Sequence, residues 1–140
     1  MTPTKIYWDS VVFIDLIEET PGRISRLQSV IERAMKQEVV IVTCALTMVE
    51  VVKLKNLNLL DEDAERRVTE FFENAYISVR NVDRFVAEAA RPIVRKDGIK
   101  PPDAIHVATA ILSKVEVIHT FDQPLLKQNG KVDGLRIEEP

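Results

Sequence analysis

The sequence predicts an α/β fold: a parallel sheet with helices on both of its faces. Two observations predict it. Short apolar runs alternate with amphipathic helical stretches about five times along the chain. One of these runs, Val39–Val42, is an unbroken set of β-branched residues, the composition of a strand buried on both faces. The 140 residues fit one compact domain, 1–140, and a hydrophobic share of 46% supplies a core without disulfides or a structural metal.

Each element has its own signal. Lys5–Trp8 is β-prone and ends at Asp9-Ser10. Val12, Phe13, Leu16 and Ile17 then carry a helical apolar pattern up to the Pro21-Gly22 break. Between Arg23 and Gln37, Ile24, Leu27, Val30, Ile31 and Met35 share one helix face. After the Val39–Val42 strand, Ala45–Lys55 reads as a helix. Asp61–Glu73 reads as another, with Val68, Phe71 and Phe72 on its apolar side. A strand is expected over Ala75–Val79 and a helix over Val82–Arg95, with a kink or local break at Pro92. Lys96–Pro102 reads as a loop, Asp103–Ser113 as a helix and Val115–Thr120 as a strand. Pro124–Gln128 fits one or two helical turns, and Leu135–Glu138 a short last strand.

Composition excludes several classes. The single cysteine, Cys44, rules out an intrachain disulfide framework and suits a reducing, cytoplasmic setting. It reads as a small buried hydrophobe. No apolar run approaches the ~20 residues of a membrane span, and the N-terminus lacks the layout of a signal peptide. No internal repeat stands out. The formal net charge of -3 does not advertise nucleic-acid binding and counts against it, unless some of the acids bind metal and basic side chains rim the site.

In parallel α/β sheets, sites gather outside the carboxyl ends of the strands. Asp9 directly follows the first predicted strand, and Asp122 lies just past the strand that ends near Thr120. Asp103 opens a helix after Pro101-Pro102, and Glu50 sits in the helix that leaves the second strand. Each Asp taken alone is more simply a helix cap or turn residue. Glu50 is harder to dismiss. It is flanked by Val49 and Val51, so it either points to solvent or meets something cationic. Asp15 reads as a surface or supporting residue. His106, three residues after Asp103, reads first as a packing or hydrogen-bonding histidine and second as a base or ligand. Clustered carboxylates suit hard cations such as Mg²⁺ and Mn²⁺, which prefer oxygen ligands and activate water.

These residues carry a resemblance to the PIN domain family over essentially the whole chain. Asp9-Ser10-Val11-Val12-Phe13-Ile14-Asp15 resembles its first acidic motif, and Thr47 with Glu50 resembles the second. Asp103-Ala104-Ile105-His106-Val107-Ala108-Thr109-Ala110 resembles the third and is the most specific. Thr120-Phe121-Asp122 followed by Leu125 resembles the fourth. The resemblance implies a three-layer α/β/α sandwich around a parallel sheet of about five strands. It implies an endoribonuclease dependent on Mg²⁺ or Mn²⁺, with Asp9, Glu50, Asp103 and Asp122 forming the metal pocket. Asp9 and Asp103 would be the main direct ligands, with Thr120 and Ser10 in support. Lys53, Arg95, Lys96 and Lys100 are candidate phosphate contacts.

The length of the chain resembles that of VapC-type toxins, which implies a homodimer and a small antitoxin partner. The stretch from Met48 to Phe72 would supply the antitoxin's groove, with Leu54, Leu57, Leu59 and Leu60 as anchors. The simpler and favoured reading is that these leucines face the chain's own core. The sequence departs from the family at Val11, where a second polar residue is common. An inactive scaffold of the same fold is the main rival. A phospho-receiver would want an Asp at the end of the third strand, which here reads Ser78-Val79-Arg80-Asn81. An aspartyl phosphatase would want an Asp where Val11 stands.

Overall fold

The computed structural model describes residues 2–140. In chain order the elements are β1 (Thr4–Trp8), α1 (Ser10–Glu18), α2 (Ile24–Met35), β2 (Val39–Cys44), α3 (Ala45–Glu50) and α4 (Glu62–Phe72). There follow β3 (Ile77–Arg80), α5 (Arg84–Asp97), α6 (Pro101–Leu112), β4 (Val117–His119), α7 (Gln123–Leu126) and β5 (Arg136–Glu138). The strands form one sheet in the order β3-β2-β1-β4-β5, and every pairing is parallel. Ile6 lies beside Ile41 on one side and Val117 on the other, so β1 is central.

Strand alternation divides the core into two layers of side chains. Ile6 and Trp8 of β1, with Val39 and Ile41 of β2, face a cluster that includes Val12 and Phe13 of α1, Leu27 and Val30 of α2, and Val68 and Phe72 of α4. Tyr7 and Val42 face the other way and pack with Val86, Ala90 and Ile93 of α5, Ala104 and Val107 of α6, and Ile118 of β4. The result is the three-layer α/β/α sandwich. Trp8 is fully buried, and its indole N–H donates to His119 Nδ1 at 3.1 Å, so its one polar atom is satisfied.

Several boundaries differ from the sequence reading, each for a local reason. The helix expected over Ala45–Lys55 ends at Glu50. Val51 and Val52 are β-branched, and beyond them Lys53 and Leu59 pair antiparallel across a tight turn. Leu54 C=O accepts from Leu57 N–H, Leu54 N–H donates to Asn58 C=O, and the Asn56 side chain accepts from Asn58 N–H. Leu57, at φ 68°, and Leu59 are exposed, 75% and 70%, so the core reading fails for both. Leu60 does pack against the core.

The loop expected from Lys96 is still helix as far as Asp97. Gly98, at φ 67°, caps it in the left-handed conformation. Pro92 does not break α5. It sits on the exposed face of the helix. Pro101 and Pro102 belong to the first turn of α6, where a missing N–H costs nothing.

Asp15 is a correction. It is fully buried rather than on the surface. Its carboxylate accepts from Thr20 Oγ1 and Arg23 Nη1, both at 2.8 Å, and pairs with Lys55. Arg23 also stacks over the Phe121 ring at 4.1 Å. This one carboxylate therefore ties α1 to the start of α2 and to the turn after α3. Burial alone would raise its pKa, but the Lys55, Thr20 and Arg23 bonds outweigh that and lower it. A lowered folded-state pKa gives stability that is present at neutral pH and lost as pH falls through the carboxylate range. Asp15→Asn is expected to destabilise the fold by about 1.5–3 kcal/mol at pH 7, the range for hydrogen bonds to a charged group. Urea unfolding should show that difference shrinking as pH approaches 3; a constant difference across pH would argue against the charge as its source.

Candidate active site

Strand order reverses between β1 and β4. The chain builds outward from β1 through β2 to β3, then returns to add β4 and β5 on the other side. In open parallel sheets this switch point leaves a crevice at the strands' carboxyl ends. Asp9 leaves the end of β1 there, and Thr120 and Asp122 follow β4.

Asp9 is 3% exposed and caps α1, with Val12 N–H donating to Oδ1 at 3.3 Å. Its Oδ2 accepts from Thr120 Oγ1 at 2.5 Å. Thr120 Oγ1 in turn accepts from Asp122 N–H at 3.1 Å, so one hydroxyl couples the carboxylate after β1 to the loop after β4. Asp122 caps α7 through a bond from Leu125 N–H at 3.0 Å. The cap reading of Asp9 is thus true, Asp122 caps a helix where a turn was the simpler reading, and neither role excludes a place in the crevice. Asp103 lies in the first turn of α6 without serving as its cap, a position taken by Lys100.

Glu50 is met by a histidine. His106 Nε2 lies 2.7 Å from Glu50 Oε1, and His106 is 1% exposed. On the other side of the ring, Nδ1 lies 2.7 Å from Tyr7 Oη and 3.6 Å from Cys44 Sγ. The hydrogen-bonding reading of His106 therefore holds, and Cys44 is buried as expected. Thr47 secures α3 to the sheet: its hydroxyl is 2.7 Å from Thr43 Oγ1, which donates to Trp8 C=O. Tyr7 carries no sequence signal. It reads as one more strand residue, and only the sheet register sets it behind His106.

The charges of these groups act on one another. Burial pushes the Asp9 carboxyl up to about 6, against the Thr120 and Val12 hydrogen bonds and the His106 charge, and the Asp103 charge adds to the rise. Burial also raises Asp103, reinforced by the charges of Asp122 and Glu50 and only partly offset by His106 and Lys100. Burial acts the same way on Glu50, but the His106 bond and charge, helped by the nearby Ser10 hydroxyl, outweigh it and hold this carboxyl below its usual range. Burial disfavours charge on His106, yet its bonds to Cys44 and Glu50 raise it.

Asp9, Glu50, Asp103 and Asp122 thus share one electrostatic neighbourhood. Among the described residues, however, no three His, Cys, Asp or Glu side chains close into a ready-made metal cage. The donor set is still the kind a divalent cation takes: carboxylate oxygens in excess, two of them with their charged forms disfavoured by burial and like charge.

The candidate phosphate contacts are dispersed. Lys100 lines a cleft with Asp103 and Asp122. Arg95 lines a neighbouring groove with Arg91 and Ile105. Lys96 lines a different groove, with Lys131 and Asp133. Lys53 sits in the turn after α3. Ser10 is the first residue of α1, directly after Asp9. Val11 packs against the apolar core, so the departure noted there is a packing position.

A family model described as PIN domain matches residues 6–131. No curated protein shows significant sequence similarity to the chain. Among solved structures, the fold is similar to VapC20 of Mycobacterium tuberculosis, described as a Sarcin-Ricin loop cleaving toxin, with a TM-score of 0.67 at 18% identity over 84% of this chain and 90% of that one. VapBC2 of Rickettsia felis, bound to a DNA fragment from its promoter, gives a TM-score of 0.71 at 13% identity over 98% and 99%. DNA-bound VapBC of Salmonella typhimurium gives 0.66 at 19% identity over 97% and 98%.

Burying Asp9 leads to a stability test. A carboxyl with a raised folded-state pKa favours the fold most below pH 4, and that contribution is lost as pH rises through about 6. Asp9→Asn removes the charge and keeps the volume, so at pH 7 without divalent metal it is expected to raise stability by roughly 1–3 kcal/mol. Thermal unfolding at pH 7 and pH 4 checks this: the gain should be present at the first and absent at the second. A loss of stability at pH 7 would mean that the charge is well accommodated.

Proposed function

Because the chain belongs to the PIN domain family, we propose that it is an endoribonuclease hydrolysing RNA phosphodiester bonds at the crevice between β1 and β4. The observation that supports the reading is a set of carboxylates linked through their charges: Asp9 after β1 and Asp122 after β4, where the strand order reverses, and Asp103, whose charge acts on Asp9 and which feels those of Asp122 and Glu50. Asp9 and Asp103 would be the direct ligands of Mg²⁺ or Mn²⁺, with Glu50 and Asp122 acting through water. A bound divalent cation supplies positive charge against the phosphodiester and makes water a better nucleophile near neutral pH. The protein's own residues do the rest. Thr120 holds Asp9 in place and couples it to the Asp122 loop. Lys100, beside Asp103 and Asp122, faces the phosphate of the bound strand, and Arg95 continues that path.

The same reading makes the chain the toxin of a VapBC-type pair. A groove between α1 and α4, lined by Phe13, Leu16, Ile17, Val68 and Phe71 and edged by Glu19 and Arg67, suits an amphipathic antitoxin segment. Exposed Met48, Val49, Leu57 and Leu59 supply apolar surface for a homodimer. The described helices include none long and apolar enough to cross a membrane, and the reading places the protein in the cytoplasm.

The test is cleavage of RNA by the purified chain, freed of any partner, with and without Mg²⁺ or Mn²⁺, beside Asp9→Asn and Asp103→Asn. Cleavage is expected only with metal, and each variant should lose at least about 100-fold, the scale of removing one element of transition-state charge stabilisation. RNA binding without cleavage in the wild type would favour the scaffold reading. Undiminished cleavage in both variants would place the chemistry elsewhere.

A further inference from the structure

We propose that His106, backed by Tyr7, is a positioning residue that fixes the Glu50 carboxylate for cation binding in the crevice, an inference that rests on the metal-dependent reading above. Glu50 needs such an anchor. It is the last residue of a six-residue helix, after which the chain turns away through Val51 and Val52. A helix this short restrains its final side chain weakly. The Glu50 side chain is 30% exposed and lies within charge range of Asp103, whose repulsion favours rotamers that swing it toward solvent.

His106 opposes that swing from a fixed position. It is buried on α6, three residues after Asp103, so one helix carries both the Asp and the group that holds Glu50. An ionised Glu50 can only accept, so Nε2 carries the proton whether or not Nδ1 does as well. Nδ1 meets the Tyr7 hydroxyl, which is buried in the central strand of the sheet. The chain Tyr7–His106–Glu50 thus transmits the rigidity of β1 to a side chain at the end of the short helix α3. In metal sites, hydrogen-bond partners of carboxylate ligands typically change metal affinity by about 10–100-fold when removed.

Two amides separate this role from simple packing. Gln reaches roughly as far as Nε2 and can donate to Glu50. Asn reaches only as far as Nδ1 and keeps the Tyr7 side alone. Mn²⁺ binding by isothermal titration calorimetry is measured on the wild type, His106→Gln and His106→Asn, with thermal unfolding of each. The expected result is about 10–100-fold weaker Mn²⁺ binding in His106→Asn and near wild-type binding in His106→Gln. Equal affinity in all three, or an equal loss in both variants, overturns the proposal.

A second measurement needs no variant to fold. In the wild type, the His106 Nε2–H proton, shielded by its bond to Glu50, should give an imidazole resonance that shifts on Mg²⁺ addition; no shift at saturating Mg²⁺ overturns the proposal. A wild type that binds Mn²⁺ but cuts no RNA removes the nuclease reading and leaves this inference standing. A wild type that binds no divalent metal removes both.

Discussion

The like charges in the crevice are held together against their own repulsion, and the reversal of strand order between β1 and β4 makes this possible. Parallel strands deliver their carboxyl ends to one edge of the sheet, and the reversal opens a gap there that no crossover helix covers. Asp9 leaves β1 at that gap, and the Thr120–Asp122 loop leaves β4 beside it. The short bond from Thr120 to Asp9 joins the two sides. Without the sheet behind it, a carboxylate as buried as Asp9 would turn to water.

The supporting contacts divide the work. Asp15, fully paired with Arg23, Lys55 and Thr20, shows what a buried carboxylate becomes when cations surround it: its pKa falls and it serves the fold. Asp9 and Asp103, equally acidic by sequence, lack that neutralisation, and their pKa values rise. Two acids six residues apart, one capping α1 and one within it, therefore have opposite characters, set by their partners. Glu50 lies between these extremes, with His106 as its single strong partner. A cluster that keeps uncompensated charge at a sheet edge is poorly explained by stability and well explained by a cation or a reaction.

Much of this was legible in the sequence. Alternating β-branched runs and helical periods give the parallel sheet and its layers, and the positions of Asp9, Asp103 and Asp122 after strands or at a helix start follow from the same pattern. The motif-like spacing around Asp103 adds the family. The failures have physical causes. The apolar pattern promised a helix over Ala45–Lys55, but the chain leaves it at Glu50 through Val51 and Val52 into the Asn56-Leu57-Asn58 turn, and Leu57 and Leu59 lie outside. Asp15 read as a surface or supporting residue because its cations, Arg23 and Lys55, approach through tertiary contacts. Tyr7 was silent because its part depends on strand register, a property that no local pattern carries.

The central claim is that the crevice between β1 and β4 binds a divalent cation through Asp9 and Asp103. It is tested most directly by Mn²⁺ anomalous scattering from crystals of the chain soaked at saturating metal. The account predicts one or two strong peaks within bonding distance of the Asp9 and Asp103 carboxylates. An ordered, well-diffracting crystal with no peak there, or with Mn²⁺ bound only at other surface acids, would contradict it.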